Sequence, residues 1–107
     1  MVMLYVLNTP ILTEYGDWQF TGPLDLAEVK QLLQQPFTSA VGHQGAADFL
    51  TTLLDISVPL NRISIRMQAQ DQAIVLKLKS RMPEGIILSK DDMMALDFEL
   101  GLLTRIK

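Results

Sequence analysis

The chain contains no cysteine. That excludes disulfides, thiolate nucleophiles and every metal site built on sulfur, and it fits a reducing cytoplasm as the working compartment. There is one histidine, His43, too little for a transition-metal centre assembled from imidazoles. Aromatic residues make up 7%, too few for a platform on which successive bases of a single strand would stack. The net charge is −3, whereas a sequence-independent binder of long duplexes needs a basic surface to displace counterions. A short anionic ligand held in a local basic pocket remains compatible with that balance. No run approaches the roughly 18 apolar residues of a membrane helix. The apolar opening MVMLYVL lacks a basic flank and a cleavage pattern, so it reads as a buried strand. The phosphate loops GxxxxGK and GxGxxG and the elbow GxSxG are missing as well.

What is present describes an ordinary globular domain. The 107 residues are 49% hydrophobic and 20% charged, enough for one core and no second one, so residues 1–107 form a single domain. A domain of this size hides roughly 65% of its unfolded surface, and burial between subunits would add to a thin margin.

Val2 to Leu7 predicts a central strand, ended by Asn8-Thr9-Pro10. Trp18 and Phe20 alternate with Gln19 in a brief strand before Gly22-Pro23. Leu26, Val29, Leu32 and Leu33 recur at helical spacing, with Asp25 and Glu28 placed as a capping box and Pro36 stopping the helix at Gln35. Phe37 to Val41 is a strand candidate. Ala46, Phe49, Leu50, Leu53 and Leu54 predict a second helix, to Asp55 or Ile56.

Ile63, Ile65 and Met67 alternate with Arg62, Ser64 and Arg66, and Ile74, Leu76 and Leu78 alternate with Val75, Lys77 and Lys79. Joined by the turn Gln68 to Asp71, they read as a hairpin with one apolar and one mainly basic face. Ser89 with Asp92 predicts a short helix, and Phe98 to Ile106 a last strand. The order β, β, α, β, α, β, β, α, β gives an α/β (α+β) domain. Its mixed sheet has five or six strands, with helices mainly on one face and the other face wet or against a partner.

His43 stands between Gly42 and the start of the second helix, with Gly45 just beyond. Gly42 allows a ligand close to the backbone, and the first turn of a helix leaves N–H groups that suit phosphate. The helix terminus disfavours imidazolium while a bound phosphate favours it, so a group with a reference pKa near 6.5 is poised to charge when an anion arrives. The plainer alternative is that His43 merely caps or packs at a loop. Arg81, at the end of the series Lys77, Lys79, Arg81, can present its planar fork to a phosphoryl group, and Glu84 can orient that fork or accept a proton. An ordinary ion pair at a turn accounts for both equally well. Met93-Met94 reads as core, and Arg62 and Arg66 as a solvated or subunit-facing strand surface.

The segments LNTPIL at 7–12, SAVGHQGAADFLTTLL at 39–54, VPLNRISIRM at 58–67 and LKSRMPEGIILS at 78–89 carry a resemblance. In the order G-H, N-R, R-x-x-E-G, the chain resembles the YddF-like family, which includes the crenarchaeal-virus anti-CRISPR proteins acting on type III systems. It is more similar to the bacterial cellular branch than to the viral one. The resemblance implies a homodimeric ring nuclease that binds cyclic tetra-adenylate and cuts it, without metal or cofactor, into linear di-adenylates ending in 2′,3′-cyclic phosphate. It implies His43, Arg81 and Glu84 as catalytic residues. Asn8, Thr9 and Pro10 fall on the loop that cradles the ring, and Gly42, Gln44 and Gly45 flank the histidine as substrate contacts. Residues 82 to 95 are the expected lid.

Two other readings are retained. Viral members carry hydroxyl residues where this chain has Gly45 and Ala46, which suits a module that sequesters a cyclic nucleotide without cutting it. A small dimeric scaffold with weak DNA binding would use Arg62, Arg66, Lys77 and Lys79. Neither a membrane nor a stable duplex is expected as partner.

Overall fold

Four consecutive apolar residues form β1, Leu4–Leu7, and all four are buried. A strand apolar at every position needs cover on both faces, and β1 lies inside the sheet between two parallel neighbours. The computed structural model describes residues 3–9, 12, 14–78 and 98–107. Within them the elements are β1, β2 (Trp18–Thr21), α1 (Leu26–Leu32), β3 (Thr38–Ser39), α2 (Gln44–Leu54), β4 (Gln72–Leu78) and β5 (Phe98–Arg105). The sheet has five strands in the order β2-β5-β4-β1-β3. β1 pairs parallel with β3 and β4, while β5 runs antiparallel to β4 and β2 antiparallel to β5. The expected mixed sheet, α+β class and single domain are all found.

Both helices cover one face, where Leu4, Val6, Ile74, Leu76 and Leu100 meet Val29 and Leu33 of the first helical unit and Phe49, Leu50, Leu53 and Leu54 of α2. An isolated helix of 11 residues is marginal in water. Each large apolar side chain that α2 buries contributes about 1.5–3 kcal/mol, and that docking, more than propensity, makes it a helix. After α2, the Thr51 hydroxyl donates to the Val58 carbonyl (3.1 Å) and accepts from the Val58 amide (3.0 Å), folding the outgoing chain back.

Four expectations need correction. Asp25 does stand at the N-cap of α1, but its side chain makes no capping hydrogen bond. That helix also ends before Gln35: Gln34 N–H turns to the carbonyl of Gln31 (3.2 Å), tightening the last turn ahead of Pro36. The strand foreseen over residues 37–41 shrinks to Thr38–Ser39, followed by an isolated bridge from Val41 to Leu60.

The fourth correction is the largest. Residues 61–68 form no strand, so there is no hairpin and no shared basic face. β4 instead pairs with β1 and β5, and Ala73, Ile74, Val75 and Leu76 are all buried. Lys77 is exposed, but its same-face neighbour Val75 belongs to a second core cluster with Tyr5, Leu7, Met67, Ala73 and Leu103. Ile65 packs against that cluster. Alternation in 62–67 thus records the packing of Ile65 and Met67 against the second sheet face, while Ile63 stays exposed. Period two reports extended backbone and one-sided burial, and it is silent about ladder partners. The expected third helix, from Ser89, lies outside the described residues.

Asp71 fastens this segment. Its buried carboxylate accepts from the amides of Met3 (2.9 Å) and Gln68 (2.8 Å). Burial first, and the Asp71 charge second, hold the Tyr5 phenol above its ordinary pKa of 10.0. The fold favours the neutral phenol, so this contribution to stability is complete below pH 10.0 and is lost as pH rises through the folded value. Urea unfolding between about pH 9 and about pH 12 is expected to show an alkaline decline that Tyr5→Phe makes shallower. Equal slopes in the two proteins would contradict it.

Candidate functional site

In sheets with parallel strands, ligands gather beyond the carboxyl ends, where the outgoing chains part. β1 ends at Leu7 and delivers Asn8, and the chain after β3 delivers Gly42 and His43 to the same end. These residues touch. The Gly42 amide donates to Asn8 Oδ1 (3.1 Å), and Arg62 Nε donates to the Gly42 carbonyl (2.9 Å). The backbone immediately before His43 is therefore held on its N–H by one loop and on its C=O by another.

His43 is the N-cap of α2, with extended backbone (φ −132°, ψ 123°), and its Nδ1 accepts from the Ala46 amide (3.3 Å). The plainer expectation for this residue is met, yet the side chain is exposed rather than packed away. Capping through Nδ1 puts the proton of the neutral ring on Nε2, which is left as the donor.

The remaining expected site residues divide. Thr9 is exposed beside Asn8. Gln44 turns its amide along the helix to Asp48 Oδ1 (2.8 Å), and Gly45 lies half-buried in the first turn. A methyl group at residue 42 would meet Arg62 Cγ at 3.7 Å, ordinary contact, so packing does not dictate glycine there. Pro10, Arg81, Glu84 and the foreseen lid lie outside the described residues.

Arg62 is the residue that sequence reasoning misplaced. Its neighbour Asn61 donates from the side chain to the Ser39 carbonyl (2.7 Å) and from the backbone to the Val41 carbonyl (2.8 Å). That staple along the β3 edge brings the next residue to Gly42. The available signal was the N-R pair itself, a polar anchor in an otherwise alternating run. Asn8→Ala is expected to cost about 1 kcal/mol in urea unfolding, because the Gly42 amide loses its acceptor. Asn8→Asp keeps an acceptor oxygen and should recover most of that; equal losses in the two variants would show that the bond contributes nothing.

Two open clefts lie elsewhere. One of about 160 Å³, lined by Phe20, Lys77 and Glu99 among others, is smaller than sites that enclose a small ligand. The other, about 420 Å³, lies against Leu12, Glu14, Tyr15, Gly16 and Trp18, and its one carboxylate is engaged by Arg66 (2.7 Å). Neither includes Asn8 or His43, and the convergence of polar groups there outweighs cleft volume.

A small α+β domain with an exposed histidine capping a helix at the carboxyl end of parallel strands is the class this geometry defines. The chain matches the STIV B116-like family over residues 4–100 and belongs to that family. It is 33% identical to the ORF117 protein of Acidianus two-tailed virus, over 99% of this chain and 96% of that protein. It is also 33% identical to the YddF protein of Bacillus subtilis (strain 168), over 94% of each. The solved structure of B116 of Sulfolobus turreted icosahedral virus superposes with a TM-score of 0.82 at 17% identity, covering 96% of this chain and 99% of that one, which shows a shared fold.

Proposed function

We propose that the protein is a metal-independent ring nuclease that opens cyclic tetra-adenylate into linear di-adenylates ending in 2′,3′-cyclic phosphate, regulating type III CRISPR signalling. The observation that carries the reading is the placement of its only histidine: exposed, capping α2 through Nδ1, and preceded by a peptide clamped by Asn8 and Arg62. The order of the G-H, N-R and R-x-x-E-G motifs supports it.

An RNA linkage carries its own nucleophile. The 2′-oxygen attacks phosphorus in line, the P–O2′ bond forms, the P–O5′ bond breaks, and the departing 5′-oxygen takes up a proton. The protein has to supply alignment, stabilisation of charge on the non-bridging oxygens, and that proton. His43 as imidazolium donates the proton through Nε2. Arg81 neutralises the phosphorane, and Glu84 holds Arg81 or accepts the 2′ proton. β4 runs parallel to β1, so both strands point toward the end of the sheet that carries Asn8 and His43.

A ring of four nucleotides has approximate two-fold symmetry, and a two-fold homodimer offers one histidine to each of two opposite linkages. Its partner approaches the carboxyl end of the sheet. Pairing through the outer edge of β2 would leave each His43 about four strand spacings, roughly 19 Å, from the contact.

The test is cleavage of cyclic tetra-adenylate in EDTA, with products identified by mass and by their cyclic phosphate ends, alongside sedimentation. We expect di-adenylates from a species of twice 12.0 kDa. No cleavage, or cleavage that appears only with added metal, refutes the reaction, and an active monomer refutes the symmetry argument. The sequestering reading is kept by Gly45 and Ala46, which bring no side-chain hydroxyl to the first turn of α2. Tight binding in calorimetry with ligand intact after hours would favour it.

A further inference from the structure

Two roles meet on one atom. His43 Nδ1 accepts the Ala46 amide only while it carries a lone pair, and an imidazolium has none left on either nitrogen. The capped ring and the charged ring therefore exclude each other. We propose that His43 is a switch in which charging the imidazole uncaps α2, and that an anionic ligand in the site draws a proton onto the ring and releases the Ala46 amide.

The surroundings make the exchange a local one. His43 is exposed, so the ring can turn away from the helix without entering the core. Behind it, Ala46, Ala47, Phe49 and Leu50 are buried, so α2 stays docked when its first amide is freed. Arg62 is engaged on the Gly42 carbonyl, and Asp48, on the same helix as the ring, accepts from Gln44. Asn8 is the neutral neighbour, and it holds the Gly42 amide in either ring state. The cap's contribution is present with the ring neutral and is lost when the ring takes up a proton. His43 is the only histidine, so one ring signal reports the whole event.

The ligand-driven half rests on the proposed nucleotide site, whereas the pH-driven half does not. The two are tested separately. In the free protein, NMR from about pH 8 to about pH 5 is expected to show the Ala46 amide and the His43 ring moving with one midpoint, with faster exchange of that amide at the acid end. His43→Asn supplies a capping oxygen that does not titrate, and its Ala46 amide should hold still. A ring that titrates while Ala46 is unmoved overturns the switch.

For the ligand half, calorimetry with cyclic tetra-adenylate at about pH 7.5, in buffers of different ionisation enthalpy, is expected to show net proton uptake on binding. The His43→Asn variant should take up none. Binding without proton uptake in the wild type overturns the ligand-driven half. Absence of binding defeats the nucleotide reading, and the NMR result then decides the switch alone.

Discussion

Replacing His43 with alanine is expected to lower the rate of cyclic tetra-adenylate cleavage by about 10²–10⁴-fold, the usual contribution of a positioned general acid. The same change removes the N-cap of α2 and should cost about 0.5–2 kcal/mol of stability. The two losses have different origins, and asparagine separates them. Its side chain is among the best N-caps, so His43→Asn should restore the stability, yet it offers no acidic proton and should leave cleavage as low as in the alanine variant. Single-turnover rates with saturating protein, set beside urea unfolding of the same three proteins, give both readouts. An asparagine variant that cleaves like wild type would show that the ring acts only as a cap. An alanine variant with wild-type cleavage would remove His43 from the reaction altogether.

Much of the fold was legible because burial on two faces and burial on one face leave different marks. The unbroken apolar run of β1 announced a central strand, and the spacing of Ala46, Phe49, Leu50, Leu53 and Leu54 announced the docked face of α2. The failure at residues 61–68 has a physical reason. Ile65 and Met67 alternate because they pack against the second sheet face, and a ladder would impose the same alternation. Val75 was the residue to weigh: an apolar side chain among lysines on the supposed wet face marks a strand covered on both sides. The site was legible to a similar degree. Asn8 and Gly42 meet because each is close in sequence to the end of a parallel strand, whereas Arg81 and Glu84 lie outside the described residues. Arg62 was not legible as a partner of Gly42, because its position depends on Asn61 crossing to the β3 edge, a contact between residues about twenty positions apart.

Phe49→Ala should have the largest effect on stability. Phe49 is 1% exposed and lies in the cluster between the helices and the sheet, where removing an aromatic ring leaves a cavity that surrounding side chains fill only in part. Losses for such a change run to about 3–5 kcal/mol. Set against the roughly 5–15 kcal/mol that holds a typical domain folded, that is about a fifth of the total at the least. Thermal unfolding should fall by something on the order of 20 °C. Part of the loss is specific to one neighbour. The ring of Phe49 meets that of Phe98 edge to face, with centroids 5.3 Å apart and planes at 80°, which ties α2 to the start of β5. A double-mutant cycle with Phe98→Ala should return a coupling of about 0.5–1.5 kcal/mol. Phe20→Ala is the contrast, because that ring is 47% exposed on edge strand β2, and its removal should cost no more than about 1 kcal/mol. Should Phe49→Ala prove as mild as Phe20→Ala, the docking of α2 on the sheet would be wrong. The placement of His43 at the carboxyl end of β1 would go with it, since the helix that Phe49 anchors is the one His43 begins.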